Sequence, residues 1–349
     1  MSGEPRWAAE VEAYLAALAR GDRRAALAQV AALSRAGHDV LTVIQRLLVP
    51  AQLRVGELWV TDAWSVAQEH AATAVSESVI GSLALGRQEQ SRPDEVDGPA
   101  LVVSCVEQEW HALPALMVSE HLRAAGFAVH YLGANASAQG LVRHVHEIAP
   151  AAVLLSCSLP TFLPLVRHQV EAIRETGTPV VVGGSAFDPD GHRARTLGAT
   201  AYAGTAQDAA AVVAALPAAV PLAPPLTHAG AGDAFAVFSA REILAEEVER
   251  RLLGPEGLSP GPGGPAGTEP WRAVLRDQLP HLVGSVAGAL VCDAPEIVAD
   301  TVGWASEVLL ARGAPEGTGA ALWVALDQAL DAFPAAGDVL ERAAASQPG

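Results

Sequence analysis

Apolar residues recur three and four positions apart from Pro5 to about Leu85: Val11, Tyr14, Leu15 and Leu18, then Ala26, Val30 and Leu33, then Val40, Val43, Ile44, Leu47 and Leu48. That period buries one face of each of several short helices, so it predicts a helical bundle over residues 5–88. A polar stretch from Gly86 to Gly98 carries Pro93, breaks the period and reads as a linker. The pattern then changes. Short apolar runs at Ala100–Cys105, Ala151–Ser156 and Pro179–Val182 alternate with helical segments at Ala115–Ala125, Ala138–Ile148 and Leu163–Glu175. Buried strands alternating with helices predict a parallel sheet covered on both faces over residues 98–217. After a Pro/Ala segment to about His228, a third region, 230–349, predicts helices at Ala234–Leu253, Trp271–Cys292, Pro295–Arg312 and Gly319–Phe333. The Gly- and Pro-rich insertion Gly254–Pro270 predicts a loop. The fold class is multidomain, α and α/β: a helical bundle, a parallel α/β domain and a C-terminal all-α domain.

Composition narrows the function. The 349 residues are 50% hydrophobic and 17% charged, with mean hydropathy +0.26, which excludes a disordered chain. Lys and Arg number 22 against 39 Asp and Glu, a net charge of −17 that opposes any non-specific hold on phosphate backbones, so no nucleic-acid partner is expected. The longest apolar run, Ala209 to Leu226, contains Pro217, Pro221, Pro224 and Pro225, which forbid a continuous spanning helix. No membrane association is expected. The start, MSGEPRW, lacks the basic and apolar segments of a secretion signal, and Cys105, Cys157 and Cys292 are too few and too scattered for a disulfide framework. A cytoplasmic location is the expectation.

The chemistry concentrates after the first predicted strand, at Glu107-Gln108-Glu109-Trp110-His111-Ala112-Leu113-Pro114. Ligands of open parallel sheets bind outside the carboxyl ends of the strands. A histidine whose far nitrogen bonds a carboxylate is a well-oriented metal ligand. On its own, His111 is equally compatible with a loop histidine that holds nothing. It is followed, however, by Ser156-Cys157-Ser158-Leu159 at the end of a later strand and Gly183-Gly184 at the end of the next. These residues resemble the cobalamin-binding Rossmann-like domain, whose pattern is Asp-x-His-x-x-Gly, then Ser-x-Leu, then Gly-Gly. The resemblance implies that His111 replaces the cofactor's own lower base on cobalt. It also implies that the displaced nucleotide tail lies in a cleft lined by Ser156, Ser158, Leu159 and the Gly183-Gly184 turn. Two positions depart from the pattern: Glu109 stands for Asp, as in a light-sensing branch of the family, and Pro114 stands for the last Gly, which bears on loop geometry.

In the bundle, Val55-Gly56-Glu57-Leu58-Trp59 precedes Gln68-Glu69-His70, with nine residues between Trp59 and Glu69. This arrangement resembles the helical cap of the adenosylcobalamin-dependent light-responsive repressors. It implies that Trp59 packs on an adenosyl group while Glu69 and His70 close over the upper face; stacking and a ribose hydrogen bond need such groups. By the residues alone, a core tryptophan and a solvent-facing Glu-His pair remain open. Those repressors often follow the tryptophan with a histidine that captures cobalt after illumination. Here the residue is Val60, leaving the upper position to His70, to water or to a less tightly locked lit state.

The repressors carry a winged helix ahead of the cap, whereas this sequence opens on the cap and adds a C-terminal helical region. That combination resembles the photocobilins, which hold biliverdin beside a corrinoid. Candidate bilin contacts are His281, Gly284, Gly288 and Trp304, with Trp271 and Trp323 nearby in the pattern and Arg272, Arg276 and Arg312 as partners for propionates. A helix-packing dimerisation domain with core tryptophans is the alternative. Cys292 lies in an apolar run and reads as core, although a thiol anchor is conceivable; His121, His144 and His146 fall on helices and read as surface groups. The expected function is a light sensor using adenosylcobalamin and biliverdin, a light-dependent homo-oligomer with an unidentified downstream partner. The alternatives are a corrinoid methyl carrier of a methyltransferase system and a haem- or bilin-only sensor. No nucleophile, base and orienter stand together, so no turnover enzyme is expected.

Overall fold

Five helices build the N-terminal bundle in the computed structural model, which describes residues 7–90, 98–254, 258 and 270–345. They are α1 (Trp7–Ala19), α2 (Arg23–Arg35), α3 (Val40–Val43), α4 (Val49–Val60) and α5 (Val66–Gln90). Asp22 and Asp39 cap α2 and α3, accepting from the backbone N–H groups of Ala25 (2.9 Å) and Thr42 (2.7 Å). A π-helical turn, Ile44–Leu48, joins α3 to α4 into one rod, and its Ile44, Leu47 and Leu48 are buried with Tyr14, Leu18 and Ile80. The Gln52 amide and the Tyr14 hydroxyl meet on the Ser76 hydroxyl at 2.6 and 3.2 Å. Helix α5 runs to Gln90, into the stretch expected to be a linker. Arg87, Gln88 and Glu89 are good helix formers, and the proline that ends the pattern comes only at position 93.

The middle region is a five-stranded sheet in the order β2-β1-β3-β4-β5, all parallel. Strands β1 (Ala100–Cys105), β3 (Ala152–Ser156) and β4 (Val180–Gly183) are the three apolar runs of the sequence. The two edge strands, β2 (Ala128–Gly133) and β5 (Ala201–Tyr202), were not anticipated. The first is only half-buried and carries His130 and Tyr131, and the second has two residues. Helices α6 (Ala112–Ala124), α7 (Ala138–Ile148), α8 (Leu163–Arg174), α9 (His192–Thr196) and α10 (Ala206–Ala214) cover the sheet. Between β1 and β3 the chain order reverses, which opens a crevice at their carboxyl ends.

The C-terminal helices are α11 (Ala231–Leu253), α12 (Pro270–Cys292), α13 (Glu296–Ala311), α14 (Thr318–Ala329) and α15 (Pro334–Ala345). Helix α12 runs through the centre, with Val283 to Cys292 buried on every side. Its neighbours include α8 and the 3₁₀ turn Pro160–Phe162, so the second and third regions of the sequence share one continuous core instead of forming separate units. The intervening Pro/Ala segment is likewise pinned: Arg167 and Arg174 of α8 donate to the carbonyls of Pro224 (2.7 Å) and Pro221 (2.9 Å). The insertion Gly254–Pro270 lies, apart from Gly254, Leu258 and Pro270, outside the described residues. No helix among the described residues is long and apolar enough to cross a membrane.

The Gly284/Gly288 face is a packing face. A Cβ at Gly284 would fall on the Thr161 side chain, and one at Gly288 on the Pro160 carbonyl. The small residues let α12 lie against the Pro160–Phe162 turn, and no room for a flat ligand remains there. Gly288→Ala should therefore cost about 1–3 kcal/mol through overpacking. Gly303→Ala in α13, where a Cβ meets nothing within 4 Å, should stabilise by about 0.5–1 kcal/mol. Urea or thermal denaturation of the two variants should give shifts of opposite sign.

Candidate cofactor-binding site

The loop after β1 turns on one carboxylate. Glu109 is completely buried, and its Oε1 accepts from the His111 backbone N–H (3.0 Å) and from Nδ1 of the His111 ring (2.5 Å). Its Oε2 accepts from the backbone N–H groups of Ser158 (2.9 Å) and Leu159 (3.1 Å) after β3. Burial opposes ionisation of Glu109, but these donors outweigh it and hold its pKa below the ordinary value. With four N–H groups aimed at it, the group is an acceptor throughout. In the neutral ring Nδ1 of His111 therefore carries the hydrogen, and Nε2 presents a lone pair. The Glu109 hydrogen bond raises the pKa of His111 against the effect of burial, and the charges of Glu109 and then Glu69 add to it. His111 stands at the N-cap of α6 with its side chain 56% exposed. Pro114 occupies the first turn of α6, where a backbone N–H has no intrahelical partner, so the departure from glycine costs the loop nothing.

A groove of about 380 Å³ runs over the sheet between α6 and α10. Its walls include Ser156, Gly183 and Gly184 together with Val103, Leu154, Val181, Ala203 and Ala209. Gly183 is closed against the neighbouring strand end, since a Cβ would lie 2.6 Å from the Ala203 carbonyl oxygen. Gly184 has φ +110° and would drive a Cβ into the backbone of Cys157. Ser158 and Leu159 serve the site through their backbone N–H groups, and the Ser158 carbonyl accepts from the Ser185 hydroxyl at 2.9 Å.

His121 is a correction. It is buried in the wall of this groove, with Nδ1 2.9 Å from the Met117 carbonyl oxygen and Nε2 3.1 Å from the Gln45 amide of the π turn. The sequence pattern missed it because α6 is covered on one side by the sheet and on the other by the bundle. His144 is partly buried against His130, while His146 is exposed as expected.

Across from His111, Glu69 opens α5, accepts from the Thr73 hydroxyl (2.9 Å) and lies 3.5 Å from the exposed His70. Trp59 ends α4 and stacks on Trp304 of α13, with centroids 5.6 Å apart and planes at 24°. The C-terminal region thus meets the cap at the residue expected to face the cofactor. His281 and Trp304 line a separate half-open cavity of about 210 Å³ with Leu159, Thr161, Gln278 and Thr301. Burial, followed by the nearby His111, lowers the pKa of His281. The three arginines do not converge on this cavity. Arg272 is buried with its guanidinium over Trp271, Arg276 pairs with Glu249, and Arg312 binds the end of α4. Trp271 is core, Trp323 packs on the core, and Cys292 is fully buried with its thiol pKa pushed up by burial, so it offers no anchor.

Residues 99–214 match the B12 binding domain family, and residues 10–84 match a second family of the same description. Among solved structures, the monomethylamine corrinoid protein of Methanosarcina barkeri is 18% identical over 59% of this chain and 97% of its own, with a TM-score of 0.50. A cobalamin-binding protein from Desulfitobacterium hafniense DCB-2 is 21% identical over 58% of this chain and 96% of its own, with a TM-score of 0.32. No curated protein matches the chain. The chain is thus a cobalamin-binding protein: a helical B12-binding bundle followed by a Rossmann-like B12-binding domain, with a C-terminal helical region beyond the matched residues.

The residues fit a corrinoid. The His111 ring is exposed with Nδ1 tied to Glu109, and the groove that Ser156, Gly183 and Gly184 help to line is apolar. His111→Ala should preserve the fold and abolish histidine coordination in the absorption spectrum of bound hydroxocobalamin. Glu109→Gln, which turns a donor toward two of the four N–H groups, should weaken binding by about 10–100-fold. Absorbance titrations of both variants check this; wild-type affinity in Glu109→Gln would contradict the role given to the carboxylate.

Proposed function

We propose that the protein is a light sensor that uses adenosylcobalamin and reads the state of its upper face through the C-terminal helices. The observation that carries this reading is the Trp59–Trp304 stack, which ties the cap end to α13. The stack gives a change at the upper face a direct contact with the C-terminal helices, a connection that handing methyl groups to another protein does not require. When bound, adenosylcobalamin supplies a cobalt–carbon bond that visible light breaks. His111 would hold the lower face and the groove the nucleotide tail. Trp59, with Glu69 and His70, would hold the adenosyl group. Without an adenosyl group to hold, these residues would lose the contacts that distinguish a closed cap from an open one, so cap position and assembly would respond to light. The expected form is a homo-oligomer whose state changes on illumination, acting on a downstream protein without turnover of its own.

Biliverdin is the proposed second chromophore. The cavity lined by His281 and Trp304 lies beside the Leu159–Thr161 loop and would take one end of a linear tetrapyrrole. The packed Gly284/Gly288 face would lie behind that site instead of against the pigment. The second reading is a corrinoid methyl carrier, for which the fold likeness to the monomethylamine corrinoid protein speaks.

Elution volumes of the full chain loaded with adenosylcobalamin, before and after green light, separate the two: light breaks the cobalt–carbon bond in either case, and only the sensor should change its elution volume. Trp59→Ala should lose affinity for adenosylcobalamin far more than for methylcobalamin, and equal losses would favour the carrier. Added biliverdin should give a sharpened, shifted long-wavelength band that Thr301→Phe, which adds bulk to the cavity lining, removes. An unaltered band in Thr301→Phe would place the pigment elsewhere.

A further inference from the structure

Arg312 ends α13 and reaches into the cap, where its side chain is 4% exposed. One guanidinium nitrogen donates to the Trp59 carbonyl at 2.6 Å. Another donates to the Val60 carbonyl at 3.2 Å and to the Val308 carbonyl of its own helix at 2.9 Å. Its Nε lies 3.5 Å from Asp62 Oδ1, and its guanidinium sits 4.9 Å from the centre of the Trp59 ring.

The last carbonyls of a helix lack intrahelical donors and form the negative end of its dipole. Within the cap, the Trp64 N–H serves the Leu58 carbonyl, and the Asp62 N–H serves that of Trp59. Arg312 supplies the Val60 carbonyl with a donor and the Trp59 carbonyl with a second. A planar fork with several fixed donors suits such a cluster better than an ammonium does. The same group covers the Trp59 ring on which Trp304 also stacks. Backbone and ring of Trp59 are therefore both fixed by a residue about 250 positions away in sequence and outside both B12-binding matches.

We infer that Arg312 is a positioning residue that sets the protein's discrimination between upper cobalt ligands. This rests on the reading of Trp59 as the adenosyl contact. The partners of Arg312 are Trp59, Val60 and Asp62 at the end of α4 and Val308 on its own helix, none of them in the His111 loop or the tail groove. Its loss should therefore act on what lies above the corrin and spare what lies below it. A residue with a merely structural role would weaken all corrinoids alike.

The test uses the full chain and measures dissociation constants for adenosylcobalamin and hydroxocobalamin in the dark, for wild type, Arg312→Met and Arg312→Lys. Arg312→Met, which keeps the apolar stem and removes every donor, should reduce the adenosyl-to-hydroxo preference by about tenfold or more, the scale of lost charge-assisted hydrogen bonds. The hydroxocobalamin constant should move less than about twofold. Arg312→Lys should restore part of the preference. If Arg312→Met does not melt cooperatively, the Lys variant carries the comparison with a smaller ratio. A wild-type protein that binds both corrinoids equally overturns the adenosyl reading of Trp59 itself. A wild type that discriminates, with variants that keep its ratio, overturns the role of Arg312 alone.

Discussion

The site depends on a buried charge that is never left alone. Glu109 has lost all contact with water, a cost that would protonate an isolated carboxylate. Four N–H groups from two loops offset it, and those loops leave adjacent strands on either side of the point where the sheet's chain order reverses. The carboxylate is thus at once the clasp between β1 and β3 and the partner that fixes the His111 tautomer. A glutamate in place of the family's aspartate lengthens the reach by one methylene, and here the carboxylate spans from His111 to the Ser158 and Leu159 backbone. His111 cannot be reoriented without unfastening the sheet's mouth. That coupling makes the position of Nε2 a property of the fold and not of a mobile loop.

Much of this was legible because it is local. Strand β1 and helix α7 were readable from the apolar run and the 3.6-residue period, and His111, Ser156 to Leu159 and the glycine pair carried a spacing that a sheet mouth explains. The parts that were not legible depend on what covers an element from outside. His121 sits on a helix whose outer face looks like surface until the bundle closes over it. Gly284 and Gly288 showed that something comes close to α12, but not that it was the Pro160–Phe162 turn of the same chain. The edge strands carry no continuous apolar run, because one flank of each is open. The Pro/Ala segment looked like a free linker because the arginines that pin it, Arg167 and Arg174, lie about fifty residues earlier and carry no spacing signal.

The C-terminal helices reach the site from two sides. Below, Arg241 of α11 stacks on Phe238 and donates to the Gln108 side chain at 2.8 Å. Gln108 holds a φ of +66°, a conformation that its backbone bond to Asn135 Oδ1 at 2.9 Å helps to maintain, one residue before Glu109. Above, Arg312 and Trp304 hold Trp59. The same packed unit, with α12 at its centre, therefore touches the loop that carries Glu109 and His111 and the backbone that ends the cap. Close-packed interiors accommodate strain by shifting elements together instead of yielding locally. A change in how either face of the site is filled therefore meets this one body directly, with no chain of intermediates to invoke. Equilibrium coupling of that kind would be reciprocal: a ligand of the C-terminal cavity that altered corrinoid affinity would have its own affinity altered by a bound corrinoid by the same factor.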